Sequence, residues 1–504
     1  MRRRADRGVR VARDITARRQ LRNPFGGASV LSDDQIAYLH DSSLRFLQNS
    51  GVRVLLPEAR RRFADAGAHV DDEQQMVRLD VAMTQELLSL APAEFTVTAR
   101  NADRSVTIGG DHLVLAPVAG PPYTSDRVRG RRPGTLADFA DFVRLTQRTD
   151  SLHTTTPAVE AQDVPMQLRH LHTTRATLVL SDKVPYFYAR GRGVVADSLE
   201  MIRLANGVSE DEFRSRPYCW TNINTNSPRQ LDVPMCMGII DSAAAGQATI
   251  MTPFTLAGAM APVTLAGALL LQHVEAIAAI ALAQIVRSGA PVVYGAFTSN
   301  VDMKSGAPAF GTPEGFSASI ASGQLARHIG VPWRSQATST SNTEDAQGAA
   351  ETMVSLTGAL LGGANIVLHS AGWQEGGLVA SLEKFVLDVE VLDILAESLR
   401  PIVVDDAALA MDSIDEVGPG GHFFGTSHTL ERFEAAFHEP VAFTRQNFGQ
   451  WTEAGSGDAA DRSTEVWQRW LDHFEEPAMD SDAATAVEEF VERRIAEGGA
   501  LPES

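Results

Sequence analysis

Polar and aromatic side chains stand at the ends of several short apolar runs, where a buried strand would give way to a loop. One run ends at Phe297 and another at His369, and Trp373 and Glu375 follow His369 in a glycine-flanked loop. Aromatic faces attract cations, whereas imidazole, guanidinium and amide groups donate hydrogen bonds to anions. Taken singly, each aromatic side chain fits ordinary core packing, and His369 equally fits a buried structural histidine. Together they predict one wall of a ligand pocket with an aromatic cage.

Signatures of other chemistries are missing from these strand ends. They contain no His-x-x-x-His, Cys-x-x-Cys or Asp-x-Asp set that would suggest a metal cluster. The sequence has no Gly-x-Ser-x-Gly nucleophile elbow and no Walker A loop. Hydrolase and nucleotide chemistry therefore find no support.

The elements that position these side chains form a regular alternation of short apolar runs and helical patterns. The apolar runs cover residues 113–118, 152–159, 185–189, 218–223, 248–254, 291–297, 332–337 and 366–369. The helical patterns cover residues 135–149, 165–180, 197–205, 233–245, 265–288, 313–328, 346–361 and 382–399. Such alternation predicts an α/β protein with a parallel sheet, and eight units match a TIM (βα)₈ barrel. An open doubly wound sheet is the alternative, although no glycine-rich dinucleotide fingerprint follows the first run.

The rest of the chain is expected to flank this barrel. We expect an Arg-rich flexible arm over residues 1–30, an N-terminal mixed helical cap over 31–110, the barrel over 111–405, and a glycine-rich loop with a C-terminal helical extension over 406–504. The arm is interpreted as flexible or as an oligomer contact, with phosphate or partner binding as the alternative. A capping box at Ser32 to Gln35 predicts the start of the first cap helix, and the runs 94–98 and 105–108, which flank a polar turn, predict a hairpin.

Composition restricts the partners and the compartment. The formal charge of 44 − 63 = −19 argues against broad binding to nucleic acid or anionic membranes. Only two cysteines occur, Cys219 and Cys236, which favours a reducing compartment such as the cytoplasm. The longest apolar stretch, residues 265–293, is interrupted by Gln272, His273 and Glu275, so it predicts a buried helix.

The string from Asp302 to Glu314, DMKSGAPAFGTPE, is the most distinctive in the chain. Thr312 followed by Pro313 is typical of a helix start. For Asp302, Lys304 and Glu314 we favour a structural ion pair over a catalytic arrangement.

Several strings together resemble the trimethylamine methyltransferase family, in its members that lack pyrrolysine. The matching pieces are Asp126–Gly130 with Thr135–Asp138, the DMKSGAPAFGTPE string, Asp345-Ala346-Gln347 with Glu351, Gly363–Asn365, and Gly418–Gly425 followed by His428-Thr429. The resemblance extends from about Leu31 to Trp470 and implies a TIM barrel.

The resemblance also implies transfer of a methyl group from an amine to a corrinoid. The family's pyrrolysine would fall near Asn342, where this chain has an ordinary residue, so the substrate implied is a quaternary amine such as glycine betaine. On this basis Asn342, His369 and Glu375 are assigned to the reaction centre. Aromatic faces would come from Tyr294, Phe297, Trp333 and Trp373, and donors from His369, Gln336, Asn224 and Arg190. Gly420, Gly421 and His422 are assigned to contact with the cofactor.

The chain has no Asp-x-His-x-x-Gly string of the kind that ligates cobalamin. The cobalamin is therefore expected to arrive on a separate corrinoid protein, so the work left to this chain is positioning and desolvation. A homo-oligomer is expected. Two other hypotheses stay open: a TIM-barrel enzyme of unrelated chemistry, and a betaine-binding protein without turnover. Glycine betaine, proline betaine, carnitine, choline and a sulfonium analogue are not distinguished.

Overall fold

The computed structural model describes residues 19–503. Its strands, in chain order, are β1 (Leu21–Arg22), β2 (Val52–Val54), β3 (His69–Asp71), β4 (Met76–Arg78), β5 (Glu94–Val97), β6 (Val106–Gly109), β7 (His112–Leu115), β8 (Tyr123–Ser125), β9 (Arg132–Pro133), β10 (Trp220–Thr225), β11 (Gln230–Leu231), β12 (Ala248–Pro253), β13 (Leu256–Ala257), β14 (Val292–Gly295), β15 (Ser299–Val301), β16 (Pro308–Ala309), β17 (Trp333–Gln336), β18 (Ile366–Leu368), β19 (Trp373–Gln374) and β20 (Val379–Ser381).

The helices connect and surround these strands. They are α1 (Asp33–Asn49), α2 (Pro57–Asp65), α3 (Val81–Ser89), α4 (Leu136–Arg148), α5 (Met166–Leu180), α6 (Arg192–Asn206), α7 (Glu210–Ser215), α8 (Val233–Ala244), α9 (Leu265–Val286), α10 (Pro313–His328), α11 (Ala346–Leu361), α12 (Leu382–Ser398), α13 (Asp406–Leu409), α14 (Met411–Val417), α15 (Ser427–Arg432), α16 (Phe448–Glu453), α17 (Ala459–Asp472) and α18 (Ser481–Ala496).

Six parallel strands form the centre of the molecule. They lie side by side in the order β7, β18, β17, β14, β12 and β10, and β1 pairs antiparallel outside β7. A helix lies between each strand and the next one along the chain from β10 to β18. Crossovers of this kind place helices against a parallel sheet. The predicted α/β class is confirmed.

Two of the eight predicted strands are not regular strands among residues 19–503. In their place, Thr154 forms a single parallel bridge to Val184, and Tyr186 forms one to Trp220. A run of ladder hydrogen bonds cannot extend through Pro185, because proline has no backbone N–H to donate. These two segments therefore follow the predicted strand order without the predicted regularity.

Side chains of the central strands alternate between two faces. Val293 and Ile366 belong to a cluster on one face of the strands, which we call the inner face. Tyr294, Trp333 and Val367 belong to the larger core between the strands and the helices. This alternation follows from the two-residue period of a strand, and it decides which side chains can reach a ligand.

Helix α9 is the most buried element of the outer layer. It is the one helix of the described chain that is long and apolar enough to cross a membrane, and 78% of that apolar stretch is buried inside the protein. Helices α1, α3 and α8 pack against it. The prediction of a buried helix is therefore confirmed.

The N-terminal elements contain two further predicted features. The side chain of Ser32 accepts from the backbone N–H of Gln35, and the reciprocal bond completes the capping box of α1. Strands β5 and β6 form the predicted hairpin. Residues 1–18 of the Arg-rich arm lie outside the described residues. Both cysteines, Cys219 and Cys236, are free and buried.

Candidate functional site

A cavity of about 240 Å³ lies at the carboxyl ends of the central strands. It is lined by Ala119, Gly120, Pro157, Tyr186, Tyr188, Ala189, Arg190, Asn222, Asn224, Met235, Phe254, Phe297, Phe310, Arg334, Leu368, His369, Trp373 and Gly376. Parallel α/β folds bind ligands at this end, because the loops after the strands converge there. A larger groove of about 1090 Å³ between α1 and α9 is lined by the flanks of helices and their connections, without any strand end. We therefore place the functional site in the smaller cavity.

Aromatic rings form much of the cavity wall. The ring of Phe297 lies 4.8 Å from that of Phe254, 5.4 Å from that of Phe310 and 6.2 Å from that of Trp373, centroid to centroid. The Tyr186 ring packs edge-on against other aromatic rings on the far wall. A cation placed among such rings interacts with their negative faces, and each contact stabilises it by ~0.5–2 kcal/mol. The wall is thus suited to a methylated ammonium group.

The guanidinium of Arg334 is the only charged group buried in this wall among the described residues. Arg334 is 1% exposed, and its Nη1 donates to the carbonyl of Ala296 over 3.1 Å. Its Cζ lies 5.4 Å from the centroid of the Phe297 ring. Its Nε has no hydrogen-bond partner. Burial lowers the pKa of Arg334 to about 9, so the group stays charged at neutral pH.

No carboxylate lines the cavity to neutralise this charge. Arg190, at the rim, is paired with Glu160 over 3.7 Å, and its side chain is 58% exposed. A buried cation with an unused donor is costly unless an anion accompanies it. The cavity is therefore prepared for an anionic group as well as for a cation.

His369 sits at the end of β18 with a backbone φ of 63°. This left-handed conformation is unfavourable for a residue other than glycine, and the surrounding structure must hold it. Its Nδ1 accepts from the N–H of Ala119 over 3.3 Å, which leaves the proton of a neutral ring on Nε2. Burial, and then the charge of Arg334, hold the pKa of His369 well below its usual value. His369 is therefore a neutral donor, with its ring centre 4.0 Å from that of Trp373.

Asn222 and Asn224, two residues apart on β10, lie at the edge of the cavity. Nδ2 of Asn222 donates to Oδ1 of Asn224 over 2.8 Å, and Oγ1 of Thr252 donates to Oδ1 of Asn222 over 2.6 Å. These bonds fix the orientation of both amides and leave the amide nitrogen of Asn224 directed elsewhere. Asn224 can therefore donate to a bound ligand.

Glu375 and Asn342, both assigned to the reaction centre, do not line the cavity. Both carboxylate oxygens of Glu375 accept from Nε of Arg131 over 3.1 Å, and the Arg131 guanidinium lies 3.9 Å from the centroid of the Tyr123 ring. Glu375 thus braces the loop whose next residue, Gly376, does line the cavity. Asn342 is exposed in the loop before α11.

Three residues assigned to substrate binding also lie outside the cavity wall. The Tyr294 hydroxyl accepts from Nε2 of Gln272 over 3.0 Å, and Trp333 belongs to the core between the strands and the helices. Both side chains point to the outer face of the strands, away from the cavity. Gln336 is 6% exposed, and its Oε1 has no partner. The structure brings together the other assigned residues, Phe297, Trp373, His369, Asn224 and Arg190.

The residues assigned to cofactor contact, Gly420, Gly421 and His422, are exposed in a loop between α14 and α15. The structure does not bring them to the cavity. Within residues 19–503, no three His, Cys, Asp or Glu side chains lie close enough together to hold a metal ion. Groups that could meet a second molecule at the cavity rim are Arg190 and Tyr188, whose guanidinium and ring lie 5.3 Å apart.

Several residues of the cavity wall were missed in the sequence, among them Arg334, Tyr186, Tyr188 and Phe310. Arg334 could have been found from the alternation of β17. The two tyrosines lie on an irregular segment, and Phe310 reaches the wall from the long loop before α10.

That loop also corrects one expectation. The carboxylate of Asp302 accepts from the backbone N–H groups of Lys304 and Ser305, and no ion pair joins Asp302, Lys304 or Glu314 in the described chain. The backbone donors of its own turn occupy Asp302, so the predicted ion pair is wrong. Thr312 caps α10 as predicted, accepting from the N–H of Gly315.

The family profile of trimethylamine methyltransferase (MTTB) matches residues 1–499. The chain belongs to the trimethylamine methyltransferase family. A glycine betaine methyltransferase of Desulfitobacterium hafniense strain Y51 is 33% identical over 94% of this chain and 98% of its own length. A trimethylamine methyltransferase of the same species is 27% identical over 91% of this chain and 92% of its own length. The predicted family is confirmed, and with it the predicted class of enzyme, a methyltransferase.

The family fold is also found among solved structures. The crystal structure of the Methanosarcina barkeri monomethylamine methyltransferase matches 93% of this chain and 90% of its own length with a TM-score of 0.53, at 9% sequence identity. At that identity the likeness concerns the fold alone.

Proposed function

We propose that this methyltransferase removes a methyl group from a quaternary amine that also carries a carboxylate, a betaine, and passes it to the Co(I) of a separate corrinoid protein. The observation that carries the proposal is the buried, uncompensated Arg334 beside the aromatic wall. A betaine presents a cation and an anion a few bonds apart, which is the pair of charges that this wall can accommodate.

The charges of the cavity favour a betaine over other methylated amines. The guanidinium of Arg334 lines the cavity and can donate charge-assisted hydrogen bonds to a carboxylate, and bonds of this type are about twice as strong as neutral ones. Trimethylamine and choline carry no carboxylate, so either ligand would leave the Arg334 charge buried and unpaired. The relative named a glycine betaine methyltransferase supports the same substrate class.

The chain's own side chains then act by holding the substrate. Phe297, Phe310 and Trp373 surround the ammonium group and exclude water, while Arg334 and the Nε2–H of His369 hold the carboxylate. Water exclusion weakens the competing solvation of the cation, and fixed geometry lowers the entropy cost of attack.

Methyl transfer needs no general base in this cavity. The corrinoid supplies a Co(I) nucleophile with the electron pair of the new bond. The C–N bond breaks with its electron pair on nitrogen, and a neutral tertiary amine leaves without gaining or losing a proton. A neutral His369 suits such a reaction, because no group in the site has to change its protonation.

The corrinoid protein would approach the cavity through its rim at the strand ends. Arg190 and Tyr188 lie there, whereas the loop with Gly420 and His422 lies elsewhere. We therefore move the proposed corrinoid contact from that loop to the rim, and we expect the reaction to take place in the cytoplasm.

We also propose that the central strands close into a (βα)₈ barrel. The N–H of His153 donates to the carbonyl of Leu115 over 2.9 Å, and the bridges at Thr154 and Tyr186 continue the contact as far as β10. These contacts between β7 and β10 support closure of the strands into a barrel with two irregular positions.

Mixing the purified enzyme with a reduced corrinoid protein and one amine at a time tests the function. With glycine betaine we expect loss of the Co(I) absorbance and release of dimethylglycine, and with choline or trimethylamine neither change. Turnover of trimethylamine at an equal rate would contradict the betaine assignment. Tight binding of betaine by calorimetry without any turnover would support the betaine-binding hypothesis instead.

A further inference from the structure

Residues 400–440 form an extension that leaves the body of the protein after α12, and we call it the C-terminal arm. It contains α13, α14, α15 and the glycine-rich loop. Thr426 is its one buried residue. Ile402 is 90% exposed, Val404 75%, and Phe424 and Phe437 83% each. Such side chains are normally found inside a protein.

The arm concentrates the exposed apolar surface of the molecule. Of the 26 large hydrophobic residues that are exposed in the described chain, 11 lie in this one segment. At ~150–250 Å² for a fully exposed aromatic side chain, their combined exposed surface is on the order of 1,000 Å². The largest apolar patch on a typical monomer covers ~300–600 Å², and a stable interface buries ~800 Å² on each partner. The arm therefore carries enough apolar area for a stable protein interface.

The base of the arm is held firmly. The carboxylate of Glu390, in the middle of α12, accepts from the backbone N–H groups of Val441, Ala442 and Phe443 and is paired with Nε2 of His438 over 3.1 Å. The chain thus returns to the body at a fixed point. The residues between the end of α12 and Val441 therefore project outward from the body of the protein.

The arm leaves the body of the protein far from the cavity rim. Helix α12 begins directly after β20, next to the loop of Gly376 in the cavity wall, and it runs for 17 residues, ~25 Å. The arm leaves from the far end of this helix. A protein that docks over the cavity would therefore leave the arm uncovered.

The chain's own first 18 residues are too polar to cover the arm. They contain seven Arg and two Asp, and their only apolar residues larger than alanine are Met1, Val9, Val11 and Ile15. Four such side chains cannot cover eleven. A second copy of the chain supplies an equal apolar surface of its own, and two identical arms that meet about a twofold axis satisfy each other.

We propose that the C-terminal arm is the interface between two copies of this chain. In this assembly the apolar residues of each arm are buried against the arm of the partner copy, at the end of the protein opposite the cavity. Both cavities stay open in such an assembly.

Light scattering with size-exclusion chromatography on the full chain tests the proposal, with a triple variant Val404→Glu, Phe424→Glu and Phe437→Glu. We expect the native chain at micromolar concentration to have twice the mass of 54.3 kDa or a higher multiple. The variant should have the mass of a monomer, with a dissociation constant raised by at least ~100-fold. All three side chains are exposed, so circular dichroism should show an unchanged fold.

A matched control variant has the same type of substitution at three similarly exposed positions outside the arm. These are Tyr38→Glu, Val263→Glu and Met303→Glu, at residues that are 72%, 73% and 70% exposed. This control should keep the native mass. A native chain that is monomeric at about 50 µM would overturn the proposal, because a specific dimer with an interface of this size is fully formed at that concentration. So would an assembly that survives in the triple variant. Hydrogen exchange should show slower exchange in residues 402–437 of the native chain than in the variant, and equal exchange would also overturn it.

Discussion

On the neighbouring strands β14 and β17, side chains of the outer face stabilise the fold, whereas side chains of the inner face line the cavity. Tyr294 and Trp333 point outward, where they pack against helices and join a buried hydrogen-bond network. Arg334, one residue further along β17, points inward to the cavity. A single step along a strand thus separates residues that hold the fold from residues that meet a ligand. Whether a residue serves stability or binding is decided by the face on which it lies.

The hydrogen-bond network on the outer face links Tyr294 of β14 to the buried His40 of α1. The Tyr294 hydroxyl is hydrogen-bonded to Nδ1 of His273 over 3.0 Å, and Nε2 of His273 is hydrogen-bonded to Nδ1 of His40 over 2.9 Å. Burial lowers the pKa of His40 to about 4 and holds that of His273 well below its usual value. Protonation of both rings would place two N–H groups against each other and break the bond between them.

The largest effect is expected on the outer face, from Trp333→Ala. It removes a side chain that is 2% exposed and leaves a cavity in the core, which should lower the free energy of unfolding by ~3–5 kcal/mol. Urea unfolding measures this. Trp451→Ala, which removes a half-buried indole from α16, serves as the control and should lower the free energy of unfolding much less. A rise in the dissociation constant of glycine betaine for folded Trp333→Ala would contradict the division between faces.

On the inner face, Arg334→Gln should reduce kcat/KM for glycine betaine by about 100-fold, equivalent to ~2.7 kcal/mol, because the carboxylate loses its charged partner. Binding of choline, measured by calorimetry, should be unchanged or tighter. Arg214→Gln, on α7 and outside the cavity wall, is the control with a 64% exposed side chain, and it should change kcat/KM by less than ~5-fold. Equal losses for both amines would argue that Arg334 supports the fold instead.

The buried histidines predict a loss of stability in acid. His40 has a lower pKa in the folded state than its usual value of 6.5, so the unfolded chain binds the proton more readily. The stability is complete above about pH 6.5 and is lost as the pH falls toward 4, by on the order of 1–2 kcal/mol between pH 7 and pH 5. Urea unfolding at these pH values should show a smaller loss in His40→Gln than in the native chain. The exposed His69→Gln should keep the native pH dependence.

The smallest effect is expected for Tyr294→Phe. It removes one hydroxyl and leaves Nδ1 of His273 without this hydrogen-bond partner, which should lower the free energy of unfolding by about 1 kcal/mol. Tyr38→Phe, on an exposed ring, should have no effect. Unchanged affinity for glycine betaine in Tyr294→Phe is part of the expectation, and a tenfold loss would place Tyr294 in the site.

The sequence predicted the strand order and the end of the sheet that carries the cavity, because these depend on the alternation of apolar runs and helices. It assigned both Trp333 and Gln336 to the site, although residues three apart on a strand point to opposite faces. Applying that period to residues 333–336 would have paired Gln336 with Arg334 and excluded Trp333. The prediction considered which residues end a strand, but not the face of the strand to which each side chain points.

Other features depend on contacts that no local pattern reports. Phe310 reaches the cavity from a loop whose path is fixed by distant residues, and the left-handed backbone of His369 is held by the surrounding structure. The irregular segment of Tyr186 was predicted as a strand because its composition is strand-like, while Pro185 limits its pairing. In each case the tertiary environment decides the outcome.

The two buried thiols make this enzyme convenient for site-directed labelling. Burial raises the pKa of Cys219 well above its usual value and that of Cys236 to about 12, so neither forms a thiolate that would react with a maleimide. No native cysteine would need to be removed first. A single cysteine introduced at position 424 would therefore accept one fluorophore, and energy transfer between two labelled chains could report their distance in solution.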